Sequence, residues 1–494
     1  MSKTQQDFSE TLDPEDWKKT RKLAHQMIDD MLDYLRDIRS RPVWQNIPTQ
    51  IQRYFDSPLP IKGKSLNEVY SEFFDNVLPY PMGNIHPRFW GWALGPGTVT
   101  GALADFLGSS MNSNLGGGYH GAVLVEHQVI NWIKELMGFQ KSASGLLTSG
   151  CSAANLIGLI VARNVKTHFD IRKNGLQKIS APLVVYASQE IHSSIKKAVE
   201  ILGLGSNQLH LIPVNNRFQV DIDILQNRII KDRKDGYEPF CVVGGAGTIN
   251  TGSFDDLDAL NKVCKKENLW FHIDGAFGVW ASLVPSLKKN IFGLDKADSL
   301  ALDLHKWMYM PYEIGCVLIR NKESHLQTFS MMPDYLSHSK KDGGLIGGNL
   351  EWFSDFGFQL SRGFRALKAW MSIKEIGMER YGRLIQQNIN QAKYLAALIV
   401  DSSNLELMTP VFLNIVCFRY FRLGISPINL DEINKKIVVA LQEKGIAVLS
   451  WTIIEGKYVM RAANFNYRSK KQDFNLLIKK IVQIGDVIAS KFTS

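Results

Sequence analysis

Residues 269–307 read LWFHIDGAFGVWASLVPSLKKNIFGLDKADSLALDLHKW and contain two short apolar runs, WFHIDG and SLALDL, each with an aspartate next to last. Apolar character sustained without alternation suits strands buried on both faces of a mostly parallel sheet. The pattern recurs on either side, in PLVVYAS (182–188), FCVVGGAG (240–247) and GCVLIR (315–320), with helix-period stretches between the runs. Together they predict an α/β domain over residues 91–370, in which ligands gather at the carboxyl ends of the strands.

Outward from this core the pattern changes. Met27, Met31, Leu32, Leu35 and Ile38 recur at three- and four-residue steps, and SLNEVYSEFFDNVLPYP (65–81) repeats the theme before Pro79 and Pro81 stop it. Residues 1–90 therefore read as a helical segment that needs a partner surface. On the other side a helical pattern runs from Phe364 to Ile399, followed by the strand LNIVCFRYF, a helix, the strands IAVLSWTII and YVMRAANF, and a last helix. Residues 371–494 form a small α+β domain on this reading.

The 494 residues are 45% hydrophobic and 21% charged, which excludes disordered, collagen-like and small disulfide-stapled classes. The formal charge of +9 comes from bases interleaved with acids, without an aromatic-basic stripe, so no nucleic-acid partner is expected. Five cysteines, at 151, 241, 264, 316 and 417, have no CxxC spacing. Neither a disulfide framework nor a metal site follows. The first residues, MSKTQQDFSE, lack an apolar leader core, and no apolar run reaches about 18 residues. A cytoplasmic protein with no membrane contact is the expectation.

Four strand-end features carry chemistry. Lys306 follows SLALDL beside His305; drawn away from solvent, its amine would have a lowered pKa and be available for a Schiff base, although a lysine in a turn is usually just solvated. Asp274 ends WFHIDG, where a carboxylate can hold a proton on a pyridine nitrogen, or simply cap the next helix. The turn Gly150-Cys151-Ser152 leads into a helix whose free N–H groups suit a phosphate, though Ser152 would serve equally as an N-cap. His192 lies after another strand and could stack on a flat ring. Phosphate cradle, stacking imidazole, pyridinium partner and Schiff-base lysine, in that order, are the parts that pyridoxal phosphate chemistry requires.

With these residues in view, the chain resembles the group II pyridoxal-phosphate-dependent amino-acid decarboxylases, the family of the aromatic-L-amino-acid, histidine and glutamate decarboxylases. The resemblance runs from about Pro87 to Asn466 through TSGCSAAN, SQEIHSS, AGTINTGSFDDL, WFHIDGAFG, LDLHKW, PDYLSH and LSRGFRALKAW. It implies the pyridoxal-phosphate-dependent transferase fold type I (aspartate aminotransferase-like), with a seven-stranded sheet, and a homodimer. It also implies pyridoxal phosphate bound covalently at Lys306, Asp274 on the pyridine nitrogen and His192 stacked on the ring. Gly150, Cys151 and Ser152 would hold the phosphate, with Thr248 and Ala276 lining the ring site and His305 serving proton traffic.

By the same resemblance, Tyr335 is the mobile-loop tyrosine that returns a proton to the α carbon, where aldehyde-forming relatives carry phenylalanine; plain decarboxylation of an L-amino acid, possibly aromatic, is implied. The alternatives are another lyase, an aminotransferase or an aldehyde-forming enzyme using the same cofactor, or a non-catalytic relative. Trp92 and Ser361 are the candidate substrate contacts. Asp303 stands where aromatic members have asparagine, an awkward charge beside a phosphate unless it is hydrogen-bonded or turned away.

Overall fold

The computed structural model describes residues 10–168, 170–331, 344–345 and 351–492. Its strands are β1 (Phe89–Trp90), β2 (Ser144–Thr148), β3 (Leu183–Ser188), β4 (Leu209–Ile212), β5 (Glu238–Gly245), β6 (Trp270–Asp274), β7 (Ser299–Asp303), β8 (Gly315–Ile319), β9 (Leu405–Leu407), β10 (Ile415–Tyr420), β11 (Val448–Ile454) and β12 (Lys457–Ala463). All five apolar runs named above are strands of one seven-stranded sheet, ordered β2-β8-β7-β6-β5-β3-β4. Strand β8 runs antiparallel to β2 and β7, and the remaining pairs are parallel. The fold is α/β of fold type I.

Every residue of β2, β3, β6, β7 and β8 is buried, which explains the unbroken apolar runs. The helix Cys151–Lys166 covers one face, packing across β5 to β8. It lies close because Gly158 has no side chain: a Cβ there would come within 2.7 Å of the His272 ring. Parallel register sets the working edge. Gly245 pairs with Asp274 and Asp274 with Ala301, so three chain segments leave the sheet together where β5, β6 and β7 end.

The second sheet, β1-β11-β12-β10-β9, is antiparallel except where β1 joins β11. Its own core includes Phe418, Leu441, Phe474 and Ile481. Because β1 pairs with β11, the stretch near residue 90 is stitched to the C-terminal sheet, a long-range pairing that local patterning could not reveal. The single helix expected from Phe364 to Ile399 is two, Ala366–Ile376 and Met378–Val400. Gly377 separates them at φ +71, a left-handed conformation that ends the first helix and that side-chain periodicity does not register. Among the described residues, no helix is long and apolar enough to cross a membrane.

Candidate functional site

Lys306, Asp274, His192, Thr248 and Ala276 line one cavity at the carboxyl edge of the large sheet, together with Glu190 and Phe277. They arrive from the end of β6 and from the segments that follow β3, β5, β6 and β7, and the parallel register of those strands brings them together. Lys306 lies three residues beyond β7, its Nζ 3.0 Å from Asp303 Oδ2, with the two side chains 17% and 2% exposed. The lowered lysine pKa expected from burial is not what results. Burial pulls the ammonium down, but the charge of Asp303, with its hydrogen bond and the charge of Asp274, outweighs it and the net shift is upward.

Asp274 accepts from Asn155 Nδ2 at 3.1 Å, from the Ala276 N–H at 3.2 Å and from Cys151 Sγ at 3.4 Å. Burial pushes the Cys151 thiol well up, so it stays protonated and donates. Behind Asp274 a directed chain of hydrogen bonds can be read from donor and acceptor capacity. Trp270 Nε1 can only donate, and it donates to Ser299 Oγ at 2.7 Å. Ser299 lies 2.7 Å from His272 Nδ1, and His272 Nε2 lies 2.8 Å from Asn155 Oδ1. Since the Asn155 amide nitrogen already donates to Asp274 and Ser194, its oxygen must accept, which places the His272 proton on Nε2. Burial lowers His272 to about 4, so the ring is neutral and can play this part.

The second branch of the chain reaches His192. Ser194 Oγ, accepting from Asn155 at 3.1 Å, lies 2.9 Å from His192 Nδ1, which also takes the Ser194 N–H at 3.2 Å. His192 Nδ1 is thus an acceptor and Nε2 carries the proton. Burial depresses its pKa, against the pull of Asp274. Asn155 therefore couples the candidate ring-stacking histidine to the candidate ring-nitrogen partner. Sequence reading missed Asn155, His272, Ser194 and Ser299. The available signal was spacing: Asn155 stands four residues after Cys151, one helical turn on and so on the same face.

His305 sits beside this cluster, its Nδ1 accepting the Ile314 N–H at 3.2 Å and its Nε2 3.6 Å from Asp303 Oδ2. Tyr312 lies against its face at 4.4 Å. Gly150 is the N-cap of the helix Cys151–Lys166, and no side chain of the turn caps it. Ser152 is exposed rather than acting as the cap. Instead Asp303 Oδ1 takes the Cys151 N–H at 2.6 Å, so the carboxylate is hydrogen-bonded and faces the cradle.

Two candidates lie apart. Trp92 is 51% exposed and tilted against Phe89, away from the residues lining the Lys306 cavity. Ser361 lines a different cavity, with Gly117, His120, Trp352 and Leu360. Tyr335 lies outside the described residues. All five cysteines are buried and free, and among the described residues no His, Cys, Asp and Glu cluster could hold a metal ion.

Comparison with known proteins agrees with this geometry. The chain is 34% identical over 481 residues to an aromatic-L-amino-acid decarboxylase of Bacillus atrophaeus, covering 96% of this chain and 97% of that one. A phenylacetaldehyde synthase of Arabidopsis thaliana is 27% identical, with 92% of this chain and 93% of the relative covered. The crystal structure of Oryza sativa TDC with PLP and tryptamine superposes with a TM-score of 0.88 at 22% identity, over 97% of this chain and all of that one, a likeness of fold. The sequence model of the pyridoxal-dependent decarboxylase conserved domain matches residues 48–421, which is most of the chain. With the fold, the strand-end cluster and this match in agreement, the chain belongs to the pyridoxal-dependent decarboxylase family.

Proposed function

We propose that this enzyme decarboxylates an aromatic L-amino acid to its amine, with Lys306 as the covalent attachment point for pyridoxal phosphate. Family membership supplies the reaction class and the cofactor. The observation that carries the residue assignment is the single cavity onto which Lys306, Asp274 and His192 converge. The donor set suits the cofactor: a primary amine for its aldehyde, a carboxylate with a fixed acceptor direction, an imidazole, and a helix start with backbone donors. When bound, pyridoxal phosphate supplies the electron sink for bond cleavage at the substrate α carbon.

The remaining work falls to side chains. Asp274, held by Asn155, the Ala276 N–H and Cys151, is fixed to keep a proton on the ring nitrogen. His192, its Nδ1 engaged by Ser194, borders the slot where it would stack on the ring. Thr248, anchored to Ser253 Oγ at 2.8 Å, and Ala276 border the slot. His305 Nε2 and Tyr335 are the groups proposed to handle the proton that replaces carbon dioxide.

The aromatic assignment rests on the name of the 34% identical relative and on the apolar, aromatic surroundings that Phe277 and Tyr312 give the site. A homodimer belongs to the same proposal. The helix Val99–Met111 leaves Leu103, Phe106, Leu107 and Met111 exposed in one stripe, as an uncovered contact face would. Light scattering after size exclusion should read twice 55.8 kDa, and a monomer at all concentrations would refute that part. A cytoplasmic, reducing setting is supported by five free cysteines. The three-part division at about residues 90 and 370 is likewise proposed.

Mass spectrometry of products from a pool of aromatic, acidic and basic L-amino acids tests the reaction. An amine lighter than an aromatic parent by one carbon dioxide, absent with Lys306→Ala, is the expected result. An aldehyde in its place would transfer the chain to the aldehyde-forming reading, which the Arabidopsis thaliana relative represents.

A further inference from the structure

A carboxylate of the chain itself takes the first backbone donor of the turn proposed to hold the phosphate. Asp303 Oδ1 accepts the Cys151 N–H, the first backbone donor of the helix Cys151–Lys166, at 2.6 Å. Its other oxygen lies 3.0 Å from Lys306 Nζ and 3.6 Å from His305 Nε2. The Asp303 backbone is pinned on both sides, its N–H to Ala276 O at 3.0 Å and its carbonyl to Trp280 Nε1 at 2.8 Å, so only side-chain rotation can withdraw the carboxylate. The space around it has been kept clear. A Cβ at Gly315 would stand 2.8 Å from Oδ1 and 2.7 Å from the Gly150 backbone.

We infer that Asp303 is a built-in competitor for the phosphate of pyridoxal phosphate, setting how strongly the enzyme favours the phosphorylated cofactor over the same aldehyde without its phosphate. The inference rests on the proposed role of the Gly150-Cys151 turn as phosphate cradle. A carboxylate and a phosphate oxygen are both acceptors, and one N–H cannot serve both fully. Two anions brought together at a buried site also repel each other more strongly than in water. For the phosphate to bind, the carboxylate must turn away from Cys151 toward Lys306 and His305, and this reorganisation weakens cofactor affinity. An asparagine at 303 would relieve the repulsion and, turned so that its amide nitrogen faces the phosphate, add an N–H donor there while leaving the Cys151 N–H free for it.

The test compares dissociation constants of pyridoxal phosphate and of pyridoxal for full-length wild type, Asp303→Asn and Asp303→Ser, read by lysine-adduct absorbance and tryptophan fluorescence. Both ligands share the aldehyde, so changes at Lys306 or in fold stability cancel in the ratio of the two affinities. The preference for pyridoxal phosphate should rise about tenfold in Asp303→Asn, as expected for exchanging a repulsion for a hydrogen bond to an anion, and should rise also in Asp303→Ser. An unchanged or smaller preference in both variants overturns the inference. Competition by inorganic phosphate in the wild type keeps the two claims separable: if phosphate competes but Asp303→Asn gains nothing, the cradle stands and the role of Asp303 falls. If Asp303→Asn also binds pyridoxal as tightly as pyridoxal phosphate, the cradle reading fails and the inference with it.

Discussion

Two buried ion pairs flank the same sheet and differ in what they face. Arg362 and Glu126 are sealed, their side chains 1% and 0% exposed, and the guanidinium also donates to Leu115 O at 2.9 Å and Leu147 O at 2.7 Å. Lys306 and Asp303 are nearly as enclosed, yet the ammonium borders a cavity. A guanidinium keeps its proton under all ordinary conditions and can only hold things in place. An ammonium can give up a proton and become a nucleophile, but only if a reactant can reach it. Burial of charge alone therefore does not mark a reactive site; an amine with access does.

Exchanging the cations one at a time separates the two roles. Lys306→Ala should lower turnover by roughly 10³-fold or more, as loss of a covalent catalytic group does, and abolish the yellow colour of the bound cofactor. Its thermal melting should fall less than that of Arg362→Leu, because Asp303 keeps the Cys151 N–H and lies 3.6 Å from His305. Retained decarboxylation in this variant would remove Lys306 from the mechanism. Arg362→Leu should do the reverse, costing about 3–5 kcal/mol of stability by stranding Glu126 and two backbone carbonyls in the interior. Burial already pushes Glu126 up against the opposing pull of Arg362, so without the arginine it should take up a proton. Chemical denaturation that shows less than about 1 kcal/mol of loss would mean that water reaches the pair.

A smaller effect is expected within the cavity, at the residue proposed to hold the ring nitrogen without a covalent bond. Asp274→Asn keeps the shape and removes the charge, so turnover should fall by about 10²–10³-fold, the range seen when one preorganised charge-stabilising group is lost. KM should move far less, because the carboxylate acts on charge that develops during the reaction. Equal losses in both parameters would indicate that Asp274 only holds the binding geometry.

How far the sequence reveals these regions depends on the kind of information each needs. Five of the seven strands of the large sheet, β3 and β5 to β8, were legible because burial leaves an unbroken apolar run, and a strand that closes on Asp274 or leads to Lys306 stands out against it; β2 and β4 were not picked out. Gly377 was not, since side-chain periodicity continues through a residue that reverses the backbone. The pairing of β1 with β11 joins residues some 360 apart, and no local pattern encodes that contact. The lysine pKa was misjudged because burial is suggested by an apolar run, whereas the opposing charge of Asp303 acts through a side-chain direction the sequence does not carry.

The same distinction bears on Asn155, which is buried, uncharged and easily passed over. Its amide nitrogen is the donor shared by Asp274 and Ser194, and its oxygen ties both to His272. Asn155→Ala removes one hydrogen bond to a carboxylate, and turnover should fall about tenfold, in line with the worth of a charge-assisted bond. Aspartate at this position would be worse, since a second carboxylate beside Asp274 repels it. The decisive readout is spectral. If Asn155 positions Asp274, the absorbance of the bound cofactor in Asn155→Ala should shift toward that of Asp274→Asn while KM stays near wild type. A variant with a wild-type spectrum and a lowered melting temperature would instead place Asn155 with Arg362, among the groups that hold the sheet together.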